Sequence, residues 1–155
     1  MRIVVTSARF TPESEIAKFA ASRGSDVGAI ASFVGYCRAS SDAGAVQQLY
    51  LEHYPGFTES EIERLTAAAI ERHGLGDALV IHRVGVVPAG EAIVLVAAQS
   101  GHRAAAFAAV AELMDHLKTD APLWKRETGA TGSRWIEPTD ADHARRRTHE
   151  GTDHD

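Results

Sequence analysis

Short β-branched segments alternate along this chain with longer helical stretches, and this alternation restricts the possible folds more than any other feature of the sequence. Runs rich in valine and isoleucine, bounded by small and polar residues, are typical of strands. The segments predicted as strands are RIVVTSA, GAIASFVGYCRA, VQQLYLEHY, DALVIHRVGVV, EAIVLVAAQS, PLWKRETG and SRWIEP, and the valine- and isoleucine-rich character is strongest in the first, fourth and fifth. Three stretches with helix-terminal signals separate these runs, which predicts the element order βαββαββαββ.

The predicted helices have recognisable ends. The first has Thr11 as a cap and Pro12 at the first helical position. The second starts near Thr58 or Ser60, either of which can cap it, and stops at Gly74. The third is rich in alanine, and such small side chains allow a helix to pack close to a sheet or a partner.

Hairpin-length connections outnumber long crossovers in this order, and only antiparallel strands can be joined by short connections. The sequence therefore predicts an α+β fold, with three helices on a mostly antiparallel sheet, in a single domain of residues 1–138. Residues 139–155 combine mixed charges with no apolar period, so we expect a solvated or disordered tail.

The composition is that of an ordinary globular domain, with 45% apolar and 24% charged residues in a chain of 155. A net charge of −5 argues against general nucleic-acid binding, which depends on neutralising many phosphates. Cys37 is the only cysteine, so no internal disulfide can form. No apolar run is long enough for a signal peptide or a membrane span. We therefore expect a cytoplasmic protein without membrane association.

Two lysines, Lys118 and Lys125, flank Pro122 at the end of the third predicted helix. Proline breaks a helix because its ring fixes φ and it lacks an N–H, so the chain can turn and bring the two amines together. Mutual repulsion and burial beside Trp124 would each lower a lysine pKa and provide a neutral amine as nucleophile or general base. The structural alternative is that Lys118 complements the helix dipole and Lys125 points to solvent.

Several basic side chains lie near predicted element ends and are candidates for one anion-binding pocket. They are Arg38, His102, Arg103, Lys118, Lys125 and Arg126. Arginine offers a planar fork for phosphate or carboxylate, and a helix N-terminus adds N–H donors. His102 and Lys118 are about 24 Å apart along the helix, so a second copy of the chain would have to contribute to a shared pocket. Alternatively, Arg38 is a surface residue and His102 only caps or packs.

The positive charge of the adjacent Arg38 could lower the pKa of Cys37 and make it a reactive thiolate. The interpretation that we favour is that Cys37 is a small, buried side chain in a strand. The eight histidines form no zinc-binding pattern, and the glycines form no phosphate loop. The sequence therefore predicts no metal and no other cofactor.

Six segments, taken together, resemble the large, catalytic subunit of molybdopterin synthase. They are FVGYCR, LYLEHYPGFTE, VIHRVGVVPAGE, SGHRAAAF, MDHLKTDAPLWKRE and RWIEP, and the similarity runs from about residue 2 to about residue 138. The resemblance implies a sulfurtransferase that converts cyclic pyranopterin monophosphate into molybdopterin by building its dithiolene. Sulfur arrives as a thiocarboxylate on the C-terminal glycine of a small ubiquitin-like subunit.

The resemblance also implies an assembly and a set of site residues. Large subunits of this family form a homodimer with one small subunit at each end, a heterotetramer. Lys118 and Lys125 match the family's functional lysines, and Arg38, His102 and Arg103 match its substrate-binding positions. No metal is implied, because molybdenum is inserted later by other proteins.

A non-catalytic module that binds the tail of a ubiquitin-like partner, or a small anion, is the alternative function. It would use the same fold and the same basic pocket. The presence of both Lys118 and Lys125 favours catalysis, because simple binding does not require a pair of amines.

Overall fold

The computed structural model describes residues 1–150, which form four helices and nine strands. The helices are α1 (Pro12–Ala21), α2 (Phe57–His73), α3 (Arg103–Thr119) and α4 (Asp140–Glu150). The strands are β1 (Arg2–Thr6), β2 (Ala29–Tyr36), β3 (Ser40–Ser41), β4 (Gly44–His53), β5 (Asp77–Arg83), β6 (Gly85–Pro88), β7 (Ala92–Ser100), β8 (Leu123–Gly129) and β9 (Gly132–Ile136).

The strands belong to two sheets rather than the one that the sequence predicted. The first has the order β1-β5-β7-β2, and the second has the order β3-β4-β8-β9 with β6 paired to β4. The β1–β5 pair is parallel and the other pairs within residues 1–150 are antiparallel, which confirms the mostly antiparallel α+β class. The predicted strand DALVIHRVGVV divides at Gly85, whose φ of 73° turns the chain from the first sheet into the second.

Helices cover both faces of the first sheet. Side chains of α2 and α3 pack against one face of β5 and β7 and form the larger of two core clusters. This cluster also includes Leu49 and Leu51 of β4. Phe19 of α1 packs against Leu79 and Leu95 on the other face. Every residue of β7 is buried, including Gln99 and Ser100 at the end of its apolar run.

The end of α2 follows the prediction, but its start does not. Gly74 adopts the left-handed conformation that ends the helix. The N-cap is Gly56, whose N–H donates to the Glu59 carboxylate at 2.7 Å, rather than Thr58 or Ser60. Thr58 is already used in the core, where its hydroxyl donates to the Pro122 carbonyl at 2.9 Å and accepts from an N–H at the end of β4.

Residues 140–150 form α4 where the sequence predicted a solvated or disordered tail, so the predicted count of three helices is wrong. Thr139 and Asp142 cap this helix reciprocally, each accepting a hydrogen bond from the other's backbone N–H. Side-chain contacts hold it to the end of α3: Arg146 forms an ion pair with Asp120 at 3.0 Å, and His149 forms a hydrogen bond with Asp115 at 2.8 Å. The last part of the predicted tail, residues 151–155, lies outside the described residues.

Within residues 1–150, the structure contains no helix that is both long and apolar enough to cross a membrane.

Candidate functional site

A cavity of about 200 Å³ opens where the C-terminal end of α3 meets β2, β7 and β8. Its apolar wall includes Phe33, Val94, Leu117 and Ile136. Five polar side chains also line it: Lys118, Lys125, His82, Glu137 and Asp142. Both lysines that flank Pro122 therefore face one cavity, as the sequence predicted.

Lys125 projects from β8 toward the interior. Its cross-strand neighbours are the apolar residues Leu51 of β4 and Ile136 of β9. Burial lowers the pKa of Lys125, and the positive charge of Lys118 lowers it further. The sequence predicted that Trp124 would bury Lys125. This prediction is wrong, because Trp124 lies on the opposite face of β8 and is exposed.

Lys118 lies in the last turn of α3, and its side chain is 47% exposed. Its Nζ lies 3.4 Å from the Asp142 carboxylate of α4, so the tail helix reaches into the candidate site. Hydrogen bonds from the backbone and side chain of Thr139, followed by the charge of Lys118, hold the pKa of Asp142 well below its usual range. Asp142 is therefore a carboxylate at neutral pH, and it forms an ion pair with Lys118.

His82 supplies a neutral imidazole to the cavity wall. It is buried on β5, and its Nδ1 donates to the Arg83 carbonyl at 2.8 Å, which leaves Nε2 as the acceptor. Burial lowers the pKa of His82 to about 4. At neutral pH this residue adds a hydrogen-bond acceptor beside Lys125 rather than a further positive charge.

The other predicted binding residues lie outside this cavity wall. Arg38 is exposed between β2 and β3, beside the buried Cys37. His102 and Arg103 are exposed at the start of α3, at the end of the helix away from Lys118, and His102 makes no side-chain cap. One protomer therefore brings together the two lysines but not the complete predicted set.

Arg126 has a placement that does not support the predicted role in the same pocket. Alternation along β8 directs its side chain to the face opposite Lys125. There the guanidinium lies over the rings of Tyr50 and Trp135, 5.0 and 5.6 Å from their centroids.

Cys37 is a free, buried thiol in the core cluster, as we favoured from the sequence. Burial raises its pKa, and nearby Glu91 and Glu127 raise it further although a backbone hydrogen bond opposes them. A thiol held in this protonated form is a poor nucleophile.

Sequence reasoning missed two members of the site. Asp142 lies in the segment that was interpreted as a tail, although T-D-A-D at Thr139–Asp142 is a recognisable capping pattern. His82 follows the apolar run of residues 78–81 in β5, and no pattern distinguished it from a histidine that only packs.

The cavity can bind an anion and provide amine chemistry. It contains one exposed lysine, one half-buried lysine with a lowered pKa and a neutral histidine, which is the type of perturbed cluster found at functional sites. Within residues 1–150 there is no group of three or more His, Cys, Asp or Glu side chains placed to hold a metal ion. The fold and the cavity define an α+β protein in which two lysines line one cavity.

Comparison with known proteins identifies the family. The family model described as MoaE protein matches residues 5–120. The molybdopterin synthase catalytic subunit of Caulobacter vibrioides is 46% identical over 142 residues, covering 92% of this chain and 93% of that protein. The subunit of the same name from Ralstonia nicotianae is 48% identical over 135 residues, covering 87% and 76% respectively. The solved MoaE protein of Burkholderia ambifaria superposes with a TM-score of 0.76 at 39% identity, covering 93% of this chain and 96% of that one. The chain belongs to the MoaE family.

Proposed function

We propose that this chain is the catalytic subunit of a molybdopterin synthase. In this function it transfers sulfur from the C-terminal thiocarboxylate of a small ubiquitin-like subunit to cyclic pyranopterin monophosphate. Each transfer breaks the carbon–sulfur bond of one thiocarboxylate, forms a carbon–sulfur bond on the pterin side chain, and leaves a carboxylate after addition of water. Two such transfers build one dithiolene. Relatives that are nearly half identical over most of both chains carry this name, which supports the proposal.

The single observation that carries the proposal is the position of Lys118 and Lys125 in one cavity with different surroundings. The exposed Lys118 is suited to meet the incoming anionic tail and to act at its carbonyl or in proton transfer. The half-buried Lys125 is suited to bind the pterin and to stabilise negative charge that develops there, because a cation in a partly apolar cavity is weakly screened. The Asp142 carboxylate occupies the position beside Lys118 that the thiocarboxylate takes in this scheme.

The substrate also carries a phosphate. The cavity of one protomer is lined by only two basic side chains that can be charged at neutral pH, Lys118 and Lys125, and both already have roles in this proposal. We propose that the chain forms a homodimer and that His102 and Arg103 of a second copy complete the site together with Arg38. The length of α3 supports this, because its 17 residues separate His102 from Lys118 by about 24 Å. Arg126 is not part of this proposed site, because it lies on the other face of β8.

We also propose that the chain works in the cytoplasm. The free Cys37 supports this location, because thiols persist in a reducing compartment.

Replacement of Lys118 distinguishes the catalytic function from simple binding of a ubiquitin-like tail. Lys118→Ala is expected to leave affinity for the small subunit within about tenfold and to reduce the rate of sulfur transfer by about 100-fold or more. Binding is measured by calorimetry, and transfer is measured as loss of thiocarboxylate by mass spectrometry. Lys18→Ala is the matched control, because Lys18 is an exposed lysine on α1 and is expected to change neither quantity. Equal losses of binding and transfer in Lys118→Ala would favour the binding module instead.

A further inference from the structure

His82 is a buried histidine that faces the cavity of Lys118 and Lys125 from the first sheet. It lies near the end of β5, is 5% exposed, and has Val5 of β1 and Val94 of β7 as its cross-strand neighbours. His82 and Lys125 both line the cavity, although they belong to different sheets. The imidazole is therefore a polar group on the cavity wall to which the proposed roles of the two lysines assign no task.

One nitrogen of this ring is fixed and the other is open. Nδ1 donates to the Arg83 carbonyl at 2.8 Å, and the Arg83 side chain is itself held by the Glu91 carboxylate and the Val86 carbonyl. Nε2 makes no hydrogen bond within residues 1–150, and it is not sealed off from the cavity by other atoms. Buried polar atoms in folded proteins are nearly always hydrogen-bonded, so an open acceptor on a cavity wall indicates a position where a bound molecule donates.

The tail of the proposed small subunit brings such a donor. Its terminal thiocarboxylate only accepts hydrogen bonds, and the ammonium groups of Lys118 and Lys125 only donate them. The first donor behind this anionic end is the amide N–H of the C-terminal glycine. This N–H loses its water when the tail enters the cavity, so it needs an acceptor on the cavity wall.

His82 suits this N–H better than the oxygen acceptors of the cavity wall do. Asp142 already accepts two hydrogen bonds from Thr139, and Glu137 and Tyr36 are exposed to solvent. Burial lowers the pKa of His82 to about 4, so its imidazole is neutral at physiological pH. A neutral acceptor can lie close to the anionic end of the tail without the repulsion that a carboxylate would cause.

We propose that His82 is a specificity residue, whose Nε2 accepts a hydrogen bond from the amide N–H of the small subunit's C-terminal glycine while Lys118 and Lys125 hold the anionic end. This inference deepens the proposed function and rests on it. The site then recognises two features together, a terminal anion and the peptide N–H next to it. It therefore favours a peptide tail over a small carboxylate or an inorganic anion.

Replacing that one N–H in the tail tests the contact directly. Two forms of the small subunit are made by semisynthesis, one with the ordinary amide before the last residue and one with an ester, in which oxygen takes the place of the N–H. Both forms end in a carboxylate, so no sulfur is transferred during the measurement. Calorimetry is expected to show that the wild type binds the ester form about tenfold more weakly, because the ester leaves Nε2 of His82 without its donor.

Two variants assign this preference to His82. His82→Leu removes the acceptor and is expected to bind both forms equally, at about the affinity of the wild type for the ester form. His82→Gln can place its amide oxygen near the position of Nε2 and is expected to keep most of the preference for the amide form. His143→Leu is the matched control, because His143 is exposed on α4, and it should keep the full preference.

A measurement on the wild type makes the test independent of how the variants fold. Nitrogen NMR of protein with isotope-labelled histidine reports hydrogen bonding at each ring nitrogen. The Nε2 resonance of His82 is expected to shift when the amide form binds and to shift less when the ester form binds.

Three results would overturn the inference: equal affinity of the wild type for both forms, an undiminished preference in His82→Leu, or the same Nε2 shift in both complexes. Sulfur transfer by the wild type, measured with the thiocarboxylated small subunit, decides the proposed function separately. A wild type that transfers sulfur and gives one of these three results keeps the proposed function and loses only the assigned contact. A wild type that binds neither form contradicts both.

Discussion

Glu112 is a buried carboxylate that joins α3 to the end of α2, and its replacement should lower the stability of the fold. It is only 2% exposed and lies on α3. Its oxygens accept hydrogen bonds from Arg72 at 2.5 Å and His73 at 2.6 Å, both at the end of α2, and His116 lies 3.7 Å away. Burial opposes ionisation of this group, but the hydrogen bonds from His116 and His73 and the charge of Arg72 outweigh it and lower the pKa of Glu112 to about 2.

The size of the effect follows from this pKa. The ordinary value is 4.5, and at about 1.4 kcal/mol per pKa unit the difference corresponds to about 3 kcal/mol of folding free energy. Because the pKa is lower in the folded state than in the unfolded state, this contribution is complete above pH 4.5 and is lost as the pH falls toward 2. Glu112→Gln keeps the side-chain shape but removes the charge. We expect it to lower the free energy of unfolding by about 3 kcal/mol at pH 5.5 and the melting temperature by about 6–12 °C.

Urea unfolding monitored by circular dichroism, at several pH values between 2 and 6, measures this effect. The wild type is expected to lose stability more steeply than Glu112→Gln between pH 4.5 and 2. Glu63→Gln, an exposed position on α2, is the control and should follow the wild type. A loss in Glu112→Gln of less than about 1 kcal/mol at pH 5.5, or parallel pH profiles, would refute the assigned role of the Glu112 cluster.

Three further changes test the site and its supports. Lys118→Met removes a positive charge near Lys125, so the pKa of Lys125 should rise toward its ordinary value. NMR titration of the lysine amines measures this change, with Lys18 as the internal reference. An unchanged pKa would mean that the two amines do not interact. Asp142→Asn removes the carboxylate that competes with the anionic tail of the small subunit for Lys118. The tail should therefore bind more tightly, as measured by calorimetry at low salt. Unchanged or weaker binding would contradict this competition. Thr58→Val leaves the Pro122 carbonyl and the Tyr54 N–H without their hydrogen-bond partner. The free energy of unfolding, measured by urea denaturation, should fall by about 1–3 kcal/mol. An unchanged free energy of unfolding would show that these two groups find other partners.

Local signals in the sequence were sufficient for most of the fold. Most strands were predicted from β-branched or apolar runs, and the first three helices from proline, glycine and an alanine-rich run, because these signals depend on a residue and its neighbours in the chain. The division into two sheets was not predicted. It depends on Gly85 and on the pairing of β6 with β4, and neither is visible in a hydrophobic pattern.

The fourth helix was missed for a different physical reason. It is stabilised by ion pairs between α4 and α3 rather than by an apolar face, and Asp142 is its buried residue. A search for hydrophobic periodicity does not detect such a helix. The capping pattern from Thr139 to Asp142 was the one local signal for it.

The candidate site was predicted in part. The break at Pro122 indicated correctly that Lys118 and Lys125 approach one another. The prediction that Trp124 buries Lys125 was wrong. Alternation along β8 places the two side chains on opposite faces, but it does not show which face is buried. That depends on the pairing of Lys125 with Leu51 and Ile136 on the neighbouring strands. His82 enters the cavity wall only through the pairing of β5 within the first sheet, so no local pattern pointed to it.

The most direct test of the central claim is a single-turnover reaction with the thiocarboxylated small subunit and cyclic pyranopterin monophosphate. Dithiolene product is detected after conversion to its fluorescent oxidised form, with wild type and Lys118→Ala measured side by side. We predict product from the wild type and little from Lys118→Ala, which would place Lys118 in the chemistry. No product from a folded wild-type protein with the small subunit bound would contradict the proposed synthase function.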